Sequence, residues 1–419
     1  MHIWMVNATD AIPGEHFGYK RGADVAAVLS RAGHSVSWLV PSFSHALKEQ
    51  RPPLLHVESP GGRVTVHSVP TCAYDANVSA ARVRSCWQFG RGLLKLARRL
   101  PAPDAMLVVL PTPFADVACA RLAERYGVPL IADFRDLWPE LFAAHVPAVL
   151  SGATPALLAP WYAMRRYAFA RLSSLVSVNE SYLDLLLEKE PVLRRIPSRV
   201  IYDGTDPRIV PTGSAAEAAA MAGLEKPSGT VWAVYAGMIS GHHDIATLLA
   251  AARIIHERGL APRLRILVSG KGPMAAAVEQ AADALPNVSY LGVVSIERLR
   301  AIYQLTDVGL VTCAPASTVV LPAKFFDYLG AALPMVSSVP GDCRRLLRNH
   351  DLGVEYEAGN AASLAEQLAR LANDPVSRRR FADNARTAAR GFDREALYQA
   401  FLPVVAGVAT ADPTRNRAA

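Results

Sequence analysis

Paired cysteine motifs are missing from this chain. Its five cysteines (Cys72, Cys86, Cys119, Cys313 and Cys343) form no CxxC and no zinc-ligand spacing. That excludes a disulfide framework and fits a reduced, cytoplasmic protein. Several nucleotide and catalytic signatures are also absent: GxGxxG, Walker A, HExxH, GxSxG, and the DxD pair that holds a divalent metal beside a nucleotide. The nearest approach to a phosphate loop, SGKGP at 269–273, lacks the upstream glycine and the following Ser or Thr. Hydride transfer and P-loop phosphoryl transfer lose their usual supports. His242 and His243 are adjacent, so on a helix or strand their side chains diverge, and no metal site is expected. The longest uncharged run, from His145 to Tyr162, contains Pro147, Gly152, Pro155 and Pro160, which argue against a spanning helix. The first residues, HIWMV, read as a buried strand, so no signal peptide is expected. No basic-aromatic repeat or reader motif points to nucleic acid.

What is present describes a globular chain with ample core. Of 419 residues, 51% are hydrophobic and 19% charged, a length that suggests two or three domains. The net charge is +7 and the pI about 9.2. Most of the excess lies in the first 205 residues, with 22 Lys/Arg against 17 Asp/Glu. An anionic partner such as a membrane surface or a phosphorylated substrate suits that imbalance; ordinary drift of surface charge is the alternative.

Strand, loop, helix and strand follow one another from the start: HIWMV, a glycine-bearing loop, GADVAAVLSRAGH, then SVSWLV. The unit recurs through RVTVHSV, AMLVVL, PLIADF, SSLVSVN and SRVIYDG, which implies right-handed crossovers and a parallel sheet. From Gly204 to Leu224 the chain is rich in Gly, Ala, Pro and Thr and reads as a linker region. A second series follows, with strands TVWAVYAG, RLRILVSG, NVSYLG, VGLVTC, PMVSS and GVEYE. The fold expected is α/β, two Rossmann-like doubly wound domains facing across a cleft. Residues 1–205 form the first and 206–393 the second; a C-terminal helix, 394–409, packs back on the first, and 410–419 is a disordered tail.

Chemistry collects in the loops after the strands of the second domain, where parallel sheets bind ligands. Tyr235 to Gly241 (YAGMISG) and Ser269 to Pro273 (SGKGP) carry glycines that let backbone N–H groups approach a phosphate. Lys271 adds a cation, and Leu291, Gly292 and Val293 follow the third strand. Leu321 to Pro334 (LPAKFFDYLGAALP) reads as a proline-started helix with Lys324 and Asp327 in its first turn. An ordinary amphipathic helix between two strands is the plainer reading of that segment alone.

Together these segments resemble the retaining GT-B glycosyltransferases of family 4, especially the bacterial subgroup building surface polysaccharide or lipopolysaccharide. The matching pieces are YAGMISG with DIATLLAAA, LVSGKGP, NVSYLGVV, TDVGLVTCAP and LPAKFFDYLGAALPMV. FGYKRGADVAAVLSRAGHSVSWLV, DFRDLWPE and VIYDGTDP match in the first half. The resemblance implies a sugar moved from a nucleotide-diphospho-sugar, a UDP-sugar first, to a lipid-linked or saccharide acceptor with retained configuration. It implies no metal and no cofactor beyond that co-substrate. Donor binding falls to Gly237, Ser240, Gly241, Gly270, Lys271, Gly272, Leu291, Gly292, Val293, Lys324 on the diphosphate, and Asp327. Acceptor binding falls to Gly14, Gly18, Tyr19, Lys20, Asp133 and Arg135, and catalysis to Asp136 and Lys324. An N-cap, or an ion pair with Arg135 or Arg165, is the alternative role for Asp136.

Three departures stand out. The first of two glutamates common in the family falls on Val319, so sugar contacts are expected from the backbone N–H groups of residues 317–321. The Arg/Lys pair of the first phosphate loop is replaced by Ser240, His242 and His243. A His is also common where DFRD stands. The segment from Trp161 to Arg171 interleaves aromatics with Arg165, Arg166 and Arg171, which suits a helix on an anionic membrane at the inner face of the cytoplasmic membrane; a packed helix is the alternative. On the same fold a nucleotide-sugar 2-epimerase is the rival enzyme, and a two-domain solute-binding protein is the rival of another class.

Overall fold

The structure is a computed structural model and describes residues 1–15, 20–51, 54–56, 64–140 and 153–409. It separates into two compact units, one of Met1–Tyr202 with Glu395–Ala419 and one of Asp203–Arg394.

The first unit is built on a sheet of strand order β3-β4-β2-β1-β5-β6-β7-β8. These are β1 His2–Val6, β2 Ser35–Pro41, β3 Leu54–His56, β4 Val64–Val69, β5 Ala105–Leu110, β6 Leu130–Phe134, β7 Ser174–Ser177 and β8 Ser198–Val200. All pairings are parallel except that of β3 with β4. The central strands are apolar throughout because helices cover both faces; Ala105–Leu110 is buried at every residue. The Arg394–Gln399 and Phe401–Ala409 helices bring Tyr398, Phe401 and Val405 into this core.

The second unit has six parallel strands in the order β11-β10-β9-β12-β13-β14. They are β9 Val231–Ala236, β10 Leu264–Ser269, β11 Val288–Gly292, β12 Val308–Val311, β13 Met335–Ser337 and β14 Gly353–Glu355. The chain starts in the middle, winds outward one way to β11, then returns to β12 on the other side of β9. The order therefore reverses between β9 and β12, where the carboxyl ends of a parallel sheet part and a crevice forms. Only Val308 and Gly309 of β12 pair with β9 before the strands separate.

Two local expectations change. The linker region holds a helix, Ala215–Ala222, closed at its start by a capping box in which Ser214 and Glu217 satisfy each other's backbone N–H. The alanine run and the S-x-x-E spacing are its signal. The expected proline-started helix begins later, at Lys324, and ends at Gly330. The Pro322 and Ala323 carbonyls accept from Phe325 and Phe326 in a tighter turn ahead of it. The 410–419 tail lies outside the described residues.

Candidate functional site

The carboxyl edge of the second sheet is stitched together by its own backbone. Gly237 N–H donates to the Ser269 carbonyl at 3.0 Å, Ile239 N–H to Lys271 at 2.9 Å, and Gly270 N–H to Gly292 at 2.8 Å. The loops after β9, β10 and β11 thus form one surface. Glycine is obligatory where they touch. A Cβ on Gly270 would lie 1.8 Å from the Gly237 carbonyl oxygen, and one on Gly272 would lie 2.2 Å from that of Ile239. Gly237, Gly270 and Gly272 all adopt left-handed φ values, from +139° to +157°.

The Lys324–Gly330 helix closes the other side of the crevice. Tyr328 is buried beneath it, and its hydroxyl donates to the Val234 carbonyl and accepts from the Ala236 N–H, both at 3.1 Å. That hydroxyl satisfies backbone groups of β9 that a longer β12 pairing would have used. Gly309 leaves room for the ring, since a Cβ there would stand 2.5 Å from it. Anchored in this way, the helix places Lys324 at the crevice wall. The side chain is buried, with Nζ 3.4 Å from the centroid of the Tyr235 ring and alongside Gly237. Among the described residues Nζ has no hydrogen-bond partner. Desolvation pushes its pKa well below the usual lysine range, and Asp327 opposes that only in part. A buried amine in this state lacks the countercharge that would offset its desolvation.

Asp327 lies on the same face, three residues on. Desolvation raises its carboxyl to about 6; Arg394 pulls it down and Asp206 pushes it up. Ser240 Oγ lies 2.9 Å from His243 Nδ1. Gly241, Lys271 and Val293 are exposed at the loop tips, and Leu291 and Gly292 are half-buried. The expected donor residues therefore all lie on the loops and the helix that follow strands of this one sheet. The N–H groups of residues 317 and 319, expected for sugar contacts, are engaged within their own loop by Ala314 and Ser317.

The expected acceptor residues have a different fate. Asp133, the penultimate residue of β6, is 1% exposed and bound by both Arg21 and Arg135. Despite desolvation, Arg135 and Arg21 hold its carboxyl below the usual range. Arg135 also donates 2.7 Å bonds to Asp10. Asp133 and Arg135, expected to bind the acceptor, are therefore engaged in a buried ion-pair network. Gly14 lies in a turn with φ +92°, Lys20 stands at the start of the Arg21–Arg31 helix, and Gly18 and Tyr19 fall outside the described residues.

Among the described residues no ion pair of Asp136 is seen, though Arg135 and Arg82 act on it electrostatically. Arg135 is taken by Asp10 and Asp133, and Arg165 by Glu140 and Glu190. The Asp136 carboxylate is open to solvent, yet its surroundings remove enough water to raise its pKa against the pull of Arg135 and Arg82. Beside it, Arg82 stacks 4.4 Å from the Trp138 ring in a groove of about 320 Å³ that also involves Leu158 and Trp161. Of the arginines at 165, 166 and 171, Arg166 is exposed and the other two are paired. Arg165 is buried, and Arg171 pairs with Glu124 and lies 3.6 Å over Tyr167, so the packed alternative describes these arginines. Among the described residues no helix is long and apolar enough to cross a membrane, and no cluster of three His, Cys, Asp or Glu could hold a metal ion.

The whole architecture recurs in solved structures. Sucrose-phosphate synthase from Thermosynechococcus elongatus superposes with a TM-score of 0.76 at 15% identity, covering 98% of this chain and 100% of that one. WaaG, a glycosyltransferase involved in lipopolysaccharide biosynthesis, gives 0.69 at 14%, covering 97% and 100%. Anabaena HepE, solved in complex with UDP-glucose, gives 0.65 at 14%, again covering 97% and 100%. By sequence, residues 23–208 match the Glycosyltransferase Family 4 model and residues 231–374 match that of Glycosyl transferases group 1. The chain is a glycosyltransferase of GT-B type. No curated protein matches it in sequence. The epimerase and solute-binding readings gain no support from these matches.

Sequence reasoning missed several residues of this glycosyltransferase. Tyr235 and Tyr328 frame Lys324 and hold its helix, while Asp10 and Arg21 complete the network on Asp133. Spacing gives no sign of them, because each partner lies far away in the chain. For Arg82, the neighbouring Ser79 N-cap marks a helix start but not the groove.

Proposed function

We propose that this glycosyltransferase moves a sugar from a nucleotide-diphospho-sugar, with retained configuration and without a metal, to a lipid-linked or saccharide acceptor. The observation that carries the donor half is the buried, unpartnered Lys324 amine over Tyr235 and beside Gly237. A diphosphate supplies the charge this amine lacks, and the glycine turns of the β9 and β10 loops let backbone N–H groups approach it. Asp327 takes the ribose. The UDP bound by HepE makes a UDP-sugar the first donor to try.

In the reaction the bond from sugar C1 to the phosphate oxygen breaks, and its electron pair leaves on the nucleoside diphosphate. The acceptor oxygen bonds to C1 on the same face, and its hydroxyl proton passes to the departing phosphate. No protein nucleophile is required. The chain must stabilise the charge that grows on the diphosphate, which is the work of Lys324 and the loop amides. Asp136, whose carboxylate is open to solvent beside Arg82, orients the acceptor hydroxyl. The Arg82–Trp138–Trp161 groove next to it, with a cation and an apolar lining, suits a phosphate-bearing lipid acceptor of the kind used to build surface polysaccharide at a cytoplasmic membrane face.

The test is turnover of UDP-, GDP- and dTDP-sugars with a lipid-phosphate-linked saccharide, with and without EDTA, and NMR of the new linkage. An EDTA-resistant product of unchanged anomeric configuration is expected. Lys324→Ala should cost about 2–4 kcal/mol of transition-state stabilisation. An inverted product, or unchanged turnover in that variant, overturns the reading.

A further inference from the structure

The turn after β9 holds a ring nitrogen for which no protein partner is seen among the described residues. His243 is half-buried. Its Nδ1 faces Ser240 Oγ at 2.9 Å, and its main-chain carbonyl accepts from Thr312 Oγ at 2.5 Å. The preceding carbonyl, of His242, accepts from the Ala314 N–H at 3.1 Å. The turn is therefore pinned to the loop after β12, so it spans the place where β9 and β12 part. With ring and backbone both fixed, the imidazole has one nitrogen left, Nε2, and no hydrogen-bond partner is found for it among the described residues. Lys324 acts electrostatically on this ring, more strongly than His242 does. The His243 turn, after β9, and the Lys324 helix, after β12, thus stand on the two sides of the switch point at one sheet edge.

We propose that His243 is a catalytic residue whose Nε2–H donates a hydrogen bond to the diphosphate leaving group, in the tautomer that Ser240 selects by donating its hydroxyl proton to Nδ1. This rests on the reading of the crevice as a nucleoside-diphosphate site. His243 keeps its proton throughout: the electron pair of the C1–O bond goes to the leaving oxygen, and the proton that oxygen gains comes from the acceptor. Burial, with Lys324 and His242 adding to it, lowers the His243 pKa to about 4. The ring is then neutral at pH 7, so it serves as a directed dipole and not as a second cation. Ser240 gains a role as the residue that sets the tautomer.

Three substitutions separate this role from simple packing. In His243→Gln the amide nitrogen stands near the Nε2 position; in His243→Asn it stands near Nδ1; His243→Ala has neither. Each folded variant, checked by thermal melting, is titrated with UDP, GDP and dTDP and assayed for transfer from the nucleotide-sugar the wild type uses. His243→Asn and His243→Ala should lose about 100-fold in kcat, the scale of a lost oxyanion donor, while His243→Gln stays within about fivefold of wild type. Equal losses in the Gln and Asn variants, or none in the Ala variant, overturn the proposal. If the wild type binds a diphosphate and Lys324→Ala abolishes that binding while the His243 variants behave as wild type, His243 alone is wrong. If the wild type binds no nucleoside diphosphate, the site reading and the His243 role fall together.

Discussion

Lys324→Met should make the unliganded protein more stable and its nucleotide binding weaker. Methionine matches the lysine stem in length and keeps its packing in the wall of the crevice, so little is lost in volume. What disappears is an amine with no hydrogen-bond partner, and leaving such a group buried costs about 1–3 kcal/mol. The contact 3.4 Å over Tyr235 returns part of that, about 0.5–2 kcal/mol for a cation on an aromatic face. The variant should therefore gain on the order of 1 kcal/mol in guanidinium unfolding at pH 7, seen as a higher midpoint at unchanged slope. The pH dependence fixes the sign. The folded-state pKa lies below the unfolded value of 10.5, so the folded chain binds the lysine proton less tightly. The penalty is full below the folded pKa and fades as pH rises toward 10.5, so the variant's advantage must shrink with it. A lower midpoint at pH 7, or an advantage that grows toward pH 10, refutes the reasoning.

Asp327→Asn tests the other helix residue. With the folded carboxyl at about 6 against 3.8 unfolded, the wild type carries no penalty below pH 4 and one of about 3 kcal/mol above pH 6. Melting temperatures of the variant and wild type should thus diverge between pH 4 and 6 in the variant's favour; a constant difference would contradict this. Gly270→Ala drives a methyl into the Gly237 carbonyl and should destabilise the second unit by on the order of 3 kcal/mol, read by thermal melting, with wild-type stability the refuting result. Arg21→Met leaves Asp133 with one guanidinium and should cost about 3–5 kcal/mol. Adding Asp133→Asn should recover part of that loss, and strict additivity would show that the two residues act independently.

The fold class was legible because parallel strands buried on both faces spell themselves out as apolar runs such as VWAVYA, each followed by a glycine turn and a helix. The glycine-bearing loops after β9, β10 and β11 were legible for the same reason, since each follows its strand directly. Contacts between distant residues were not. Nothing near Tyr328 announces that its hydroxyl closes the gap beside β9, 92 residues away in sequence. The ion-pair network of Asp133 and Arg135 left no trace in the sequence because their partners, Arg21 and Asp10, stand 112 and 125 residues from them. The alternating aromatics and arginines of Trp161–Arg171 suggested an exposed stripe, yet Glu140, Glu190 and Glu124 neutralise two of the three arginines. The Ser214–Glu217 capping box lay in plain view, hidden only by the composition of the segment around it.

The central claim is that the Lys324 crevice receives a diphosphate. Calorimetric titration of the whole chain with a nucleoside, its monophosphate and its diphosphate, in the uridine and guanosine series, tests it most directly. In one series the diphosphate should bind at least about 10-fold more tightly than the monophosphate, and Lys324→Ala should erase that difference, as expected for a charge-assisted hydrogen bond. Equal affinity for nucleoside, monophosphate and diphosphate, or an unchanged diphosphate preference in Lys324→Ala, would contradict the account.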